Sequence, residues 1–193
     1  MQDIILASQS PRRKMLLEWA EVPFEVIVKH SDENYPAGLS FADIAMHIAQ
    51  NKAEAVREYV KGAFHHQQAG KTILAADTIV VLDGQVIGKP ANRTEAIRTL
   101  HALSGKKHEV ITGVAILHAG GITKFADTTA VRFHELSTEQ IVFYVDKYEP
   151  YDKAGAYAIQ EWIGVVGIES INGDFYNVMG LPVSRVVQKL ASL

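Results

Sequence analysis

At 193 residues, with 48% of them apolar, the chain is long enough to bury one hydrophobic core and sits near the size at which a single domain begins to divide into lobes. Its 22 acidic and 19 basic side chains leave a formal net charge of −3, which lacks the long-range positive field of nucleic-acid-binding proteins and argues against a polyanion-binding surface. The absence of cysteine excludes disulfides, zinc–thiolate sites and thiol catalysis; it is compatible with a reducing compartment, and the cytoplasm is the simplest location.

The apolar run at residues 4–7 has no basic flank and no small-residue cleavage site, so it reads as a short buried strand rather than a signal peptide. Ser10-Pro11 follows, a capping hydroxyl with proline at the first helical position, and predicts a helix to about Ala20. Residues 24–28 read as a second strand, and residues 31–39 as a polar loop punctuated by glycine and proline. A long helix is expected from Ser40, where Asp43 completes a capping-box-like start and Ile44, Ile48, Ala49, Ala53 and Val56 repeat at helical spacing, to Gly62.

The middle of the chain is β-rich. Residues 72–82 and 85–88 flank Asp83-Gly84, a dipeptide that favours two-residue hairpin turns. Residues 92–103 carry an Asn-x-x-Glu start and a Gly105 stop, hence a short helix. Residues 108–117 and 123–133, joined through Ala119-Gly120-Gly121, read as long antiparallel strands, and residues 137–147 as a capped helix ended by Pro150. Residues 157–159 and 165–171 are expected to be strands, Asn172-Gly173 marks a turn, and Pro182 opens a terminal helix with Val186, Val187 and Leu190 on its apolar face. No apolar run approaches the roughly 18 residues of a membrane-spanning helix, so a soluble chain without membrane contact is expected.

Two features run against ordinary local physics. Arg12, Arg13 and Lys14 stand in the first turn of the first helix, where the macrodipole is already positive. Either the turn is simply solvated, or an anion such as phosphate sits among the free backbone N–H groups and guanidinium groups. Asp77 interrupts the apolar run of residues 73–82, and an unpaired carboxylate inside a buried strand is very costly. It is neutralised by a cation, bound to a metal, or facing a cleft as a general base; a structural aspartate hydrogen-bonded to backbone is the plainer alternative.

Lys52 and Lys89 add two ammonium groups within possible reach of phosphate, although Gly88-Lys89-Pro90 lacks the glycine framework of a Walker loop. The stretch from Asp152 to Gln160 combines charge, small residues and an amide that can read a base edge, or else is a turn into a strand. The eight histidines are dispersed. Only His65 and His66 adjoin, in a loop, and no histidine metal site is assigned.

Taken together, Leu6-Ala7-Ser8 with Ser10-Pro11-Arg12-Arg13, Lys52-Ala53, Ala76-Asp77-Thr78, Gly88-Lys89-Pro90, Thr112-Gly113-Val114, Asp152-Lys153-Ala154-Gly155-Ala156-Tyr157 and Gly180-Leu181-Pro182 resemble the Maf family of nucleoside triphosphate pyrophosphatases over nearly the whole chain. The resemblance implies one α/β domain over residues 1–193 of the Maf and inosine-triphosphatase type: a long curved mixed sheet flanked by helices, with a nucleotide cleft between two lobes. It implies Asp77 as catalytic acid or base, and Ser8, Arg12, Arg13, Lys52 and Lys89 around the phosphates. Glu33 matches a further acidic position, and a divalent cation, magnesium or manganese, is implied with Asp77 and Glu33 as its ligands.

Arg12, Thr78 and Gln160 match selectivity positions of the dTTP/UTP branch. Lys153 and Gln160 are both present, whereas the 7-methyl-GTP branch replaces the lysine and lacks the glutamine. The expected reaction is hydrolysis of dTTP and UTP to monophosphate and pyrophosphate, with nucleotide-pool cleaning or cell-division arrest as purposes and a homodimer as the assembly. The alternatives are the same chemistry on 7-methyl-GTP, modified pyrimidines or deaminated purines, and a nucleotide-binding regulator of septum formation with little turnover.

Overall fold

The computed structural model describes residues 3–62 and 70–193; the expected loop position of His65 and His66 lies outside them. In chain order the elements are β1 (Ile4–Leu6), α1 (Pro11–Trp19), β2 (Phe24–Val26), α2 (Phe41–Gly62), β3 (Thr72–Leu82), β4 (Gln85–Ile87), α3 (Arg93–Leu103), β5 (Lys107–His118), β6 (Gly121–Phe133), α4 (Thr138–Tyr148), two 3-10 turns (Pro150–Asp152 and Ala154–Ala156), α5 (Trp162–Gly167), β7 (Ile168–Asn172), α6 (Phe175–Met179) and α7 (Val183–Ala191). The strands form one mixed sheet in the order β2-β1-β3-β5-β6-β7, with β4 paired to β3. β1 is parallel to β2 and β3, while β3–β4 and β6–β7 are antiparallel. This is the expected mixed α/β sheet flanked by helices.

Local chemistry sets most boundaries. Ser10, Asn92 and Ser137 cap α1, α3 and α4, accepting from the N–H groups of Arg13, Glu95 and Gln140, and the Ser137–Gln140 pair closes both halves of a capping box. Asp83 and Gly84 adopt φ of 50° and 75°, the left-handed pair that a two-residue hairpin turn requires.

The carboxyl-terminal third departs from expectation. Residues 157–159 are not a strand, and Val165 and Val166 belong to α5, with β7 beginning only at Ile168. The Ala158 N–H goes to the Tyr144 hydroxyl, and its carbonyl takes the Glu161 N–H. Glu161 in turn accepts the N–H groups of Gly164 and Val165, so the backbone of this stretch is satisfied by a turn and a short helix rather than a ladder. Pro182 stands at the cap of α7, one position before the helix proper, and α6 was not anticipated.

The chain divides into two compact units. The first takes the described residues of Met1–Asp77 with Thr112–Asp127 and Gly180–Leu193; the second takes Thr78–Ile111 and Thr128–Met179. In the first unit Ala49, Ala53, Val56 and Val60 of α2 cluster with Ile5, Ala7, Ile73, Ala75, Ala115 and Leu117. Small side chains on both sides let the helix lie close to the sheet. The sharpest approach is at Gly113 on β5, where an added Cβ would stand 2.2 Å from the Ala45 carbonyl carbon. In the second unit α3 lies against α4, and His108, Phe133 and Tyr157 form a buried ring cluster with centroid separations of 5.0–5.4 Å.

Candidate active site

Side-chain alternation places the first group of residues. Along β3, Ile73 and Ala75 face α2, so Asp77 continues the same row while Thr78 faces the other side of the sheet. On α2, Lys52 precedes Ala53 of the buried face. The two side chains meet, with Lys52 Nζ 2.6 Å from Asp77 Oδ1 and 2.8 Å from Glu33 Oε1. Asp77 and Lys52 are 15% and 20% exposed and Glu33 62%, so the strand carboxylate is neutralised from α2 and the third partner comes from a solvated loop. Asn51 fixes that loop beside Lys52, its amide donating to the Asp32 carbonyl.

Ser8 follows β1 and is buried; its hydroxyl accepts from Ser10 N–H and from Arg13 Nη1, both at 3.2 Å. Arg13 also donates from Nε to the Gly180 carbonyl at 2.8 Å. Burial lowers the Arg13 pKa from its ordinary value, the charges of Asp77 and Glu33 oppose that, and the neighbouring charge of Arg12 adds to it. An arginine remains a cation under such opposed pulls. Ser8, Arg12, Arg13, Glu33, Lys52 and Asp77 therefore all belong to the first unit, an electrostatically coupled set of three cations and two carboxylates with a buried hydroxyl.

The remaining expected residues, Thr78, Lys89, Lys153 and Gln160, belong to the second unit. Gly155, at φ of 71°, donates its N–H to the Gly88 carbonyl at 3.2 Å, which ties the Gly88-Lys89-Pro90 stretch to the Asp152–Tyr157 stretch. Lys89 and Gln160 are exposed. Lys153 is buried, 2.8 Å from Asp152 Oδ1 and 3.6 Å from Glu161 Oε1, so its charge is spent within the segment. His108 Nε2 lies 2.7 Å from the Tyr157 hydroxyl. Burial pushes the His108 pKa down to about 4 and the Tyr157 phenol up, so both are neutral at neutral pH.

Several contributors escaped the sequence reading. Gly113 lets α2 approach the sheet, and the Gly180 carbonyl anchors Arg13. For Tyr144 and Glu161 the sequence offers one signal, an acidic residue directly after Gln160. Among the described residues no group of three or more histidines and carboxylates is placed to hold an ion. Two carboxylates converge on one positive charge, that of Lys52. Such an oxygen pair fits magnesium or manganese, which are typically held by one or two carboxylates with substrate phosphates completing the shell.

A family model described as Maf-like protein matches residues 3–193. A protein of Parabacteroides distasonis named dTTP/UTP pyrophosphatase is 48% identical over 188 residues, covering 97% of this chain and 94% of its own. One of Bacteroides thetaiotaomicron with the same name is 47% identical over 191 residues, covering 98% and 95%. A solved structure, that of the Staphylococcus aureus Ham1 protein, aligns over 68% of this chain and 72% of its own with a TM-score of 0.44 and 15% identity.

Proposed function

The chain belongs to the family of Maf-like proteins, and from that premise we propose that it is a nucleoside triphosphate pyrophosphatase that hydrolyses dTTP and UTP to the monophosphate and pyrophosphate. The observation that carries the reading is identity near one half, over almost the full length, with relatives that bear this name. The coupled charges of the first unit support its chemistry.

In the proposed reaction the triphosphate's negative charge is met by Arg12, Arg13, Lys52 and Lys89, with Ser8 holding Arg13 in place. Asp77 takes the proton of the attacking water. The water oxygen bonds to the α phosphorus, the bond from that phosphorus to the bridging oxygen breaks, and pyrophosphate leaves with the electron pair. Lys52 pairs with Asp77 at 2.6 Å before the proton moves, and oriented cations stabilise charge as it builds on the leaving group. A divalent cation, magnesium or manganese held by Asp77 and Glu33, would offset phosphate charge and polarise the phosphoryl oxygens.

Base selection is assigned to Arg12, Thr78 and Gln160, the last an exposed amide with donor and acceptor for a uracil or thymine edge. Lys153 serves from its buried position within the same segment. No described helix is long and apolar enough to cross a membrane. We place the enzyme in the cytoplasm, with the nucleotide pool, and as a homodimer.

A pyrophosphate-release screen of natural and modified triphosphates tests the reading. Turnover should favour dTTP and UTP with magnesium or manganese and stop with chelator; preference for 7-methyl-GTP, or binding without turnover, would contradict it.

A further inference from the structure

Gln160 is an exposed residue at the end of a buried run. Residues 155–159 are all buried and Gln160 alone of these six is exposed. The run contains no sheet ladder. It bends at Gly155 and Ala156, whose φ values are 71° and 57°, and a stretch of that shape takes its position from whatever its side chains and free amides attach to.

The attachments converge on one hydroxyl. Tyr144 of α4 is fully buried. Its hydroxyl donates to Glu161 Oε2 and accepts from the Ala158 N–H at 3.1 Å. The Glu161 N–H returns to the Ala158 carbonyl at 3.1 Å. Tyr144 thus closes a ring around the turn of residues 158–161, with Gln160 inside it. On the other carboxylate oxygen, Glu161 faces the buried Lys153 ammonium at 3.6 Å, which ties the far end of the segment to the same group. Gly164 completes the seat, since an added Cβ there would stand 1.8 Å from the Ile159 carbonyl oxygen.

We propose that Tyr144 and Glu161 are positioning residues for base selection: they fix the turn that presents the Gln160 amide, and Lys153 acts as the latch of that turn. The proposal rests on the base-reading role assigned to Gln160 above. A single amide discriminates only while its donor and acceptor stay aligned with the base edge. Loss of the Tyr144 hydroxyl frees that alignment, whereas the ring and its stacking on Tyr148, at 5.0 Å, remain.

The test is the ratio of kcat/KM for dTTP over dATP in wild type, Tyr144→Phe, Glu161→Ala, Gln160→Ala and the double variant Tyr144→Phe/Gln160→Ala, with thermal midpoints on the same preparations. Tyr144→Phe should lower the ratio by about two- to tenfold, as loss of one aligned hydrogen bond implies, chiefly through KM for dTTP. Glu161→Ala should act in the same direction, and it carries the test where Tyr144→Phe does not fold. The double variant should be no less selective than Gln160→Ala alone, because both changes remove one function. Equal loss on both substrates, or an additive double variant, would make Tyr144 merely structural and overturn the inference. If Gln160→Ala lowers the ratio and neither Tyr144→Phe nor Glu161→Ala does, positioning fails while base reading stands. If Gln160→Ala leaves the ratio unchanged, base reading fails and the inference with it.

Discussion

Asp77→Asn should lower kcat by about 10²–10⁴-fold, the range that a positioned acid–base group supplies, while the thermal midpoint moves little. The side chain keeps its size, and its Oδ1 can still accept from Lys52. What it loses is the capacity to take a proton and the negative charge that faces Lys52. Removing one partner of a buried ion pair is ordinarily destabilising because the other is stranded. Here Lys52 retains Glu33 at 2.8 Å, and Asp77 is itself only 15% exposed, so removing its charge also removes a desolvation cost. The two effects offset each other. Kinetics and thermal unfolding measured on one preparation decide the matter: near wild-type turnover would refute the catalytic assignment, and loss of activity through unfolding would make Asp77 a structural aspartate.

Gly113→Ala should damage the enzyme from a distance. The added Cβ would lie 2.2 Å from the Ala45 carbonyl carbon and 2.3 Å from the Met46 nitrogen, against roughly 3.5–4.0 Å for comfortable contact. Both neighbours are helix backbone, so no side chain can swing aside and α2 must move by more than about 1 Å to restore comfortable contact. Overpacking of this kind costs about 1–3 kcal/mol. Because Lys52 is carried on the same helix, the shift also loosens its meeting with Asp77, and a displacement of about 1 Å at a reacting group can cost about 10²-fold in rate. Gly62→Ala, at the end of the same helix with nothing within 4 Å among the described residues, is the control and should leave both properties intact. Urea unfolding and kcat/KM for dTTP measure the pair; a fully active, stable Gly113→Ala variant would show that the approach of α2 to β5 is not needed for the site.

Much of the architecture was legible because its signals are local. Ser10, Asn92 and Ser137 announce helix starts through groups within three residues, and Asp83-Gly84 announces a hairpin through its own backbone preferences. The misread stretch, residues 157–167, is rich in apolar and β-branched side chains, and a short apolar run does not reveal whether it is strand or helix. Its fate was decided by the Tyr144 hydroxyl, from a helix earlier in the chain, and by Gly164, which leaves room for the Ile159 carbonyl where any side chain would collide.

The candidate site follows the same division. A carboxylate in an apolar strand and cations in a first helical turn are visible as conflicts with local physics, so sequence could pose the question at Asp77 and Arg13. The answers are tertiary. Lys52 reaches Asp77 only because the small residues of α2 lie against β3, and Arg13 is oriented by the Gly180 carbonyl from the far end of the chain. Glu161 shows the limit most clearly, since its partners Tyr144 and Lys153 come together only in the folded second unit.

In the proposed reaction water attacks the α phosphorus of a pyrimidine nucleoside triphosphate. Hydrolysis of dTTP in ¹⁸O-labelled water, with products separated and weighed by mass spectrometry, tests it most directly. dTMP and pyrophosphate should appear as first products, with the label in dTMP and none in pyrophosphate. Label in pyrophosphate, or dTDP and phosphate as first products, would contradict it.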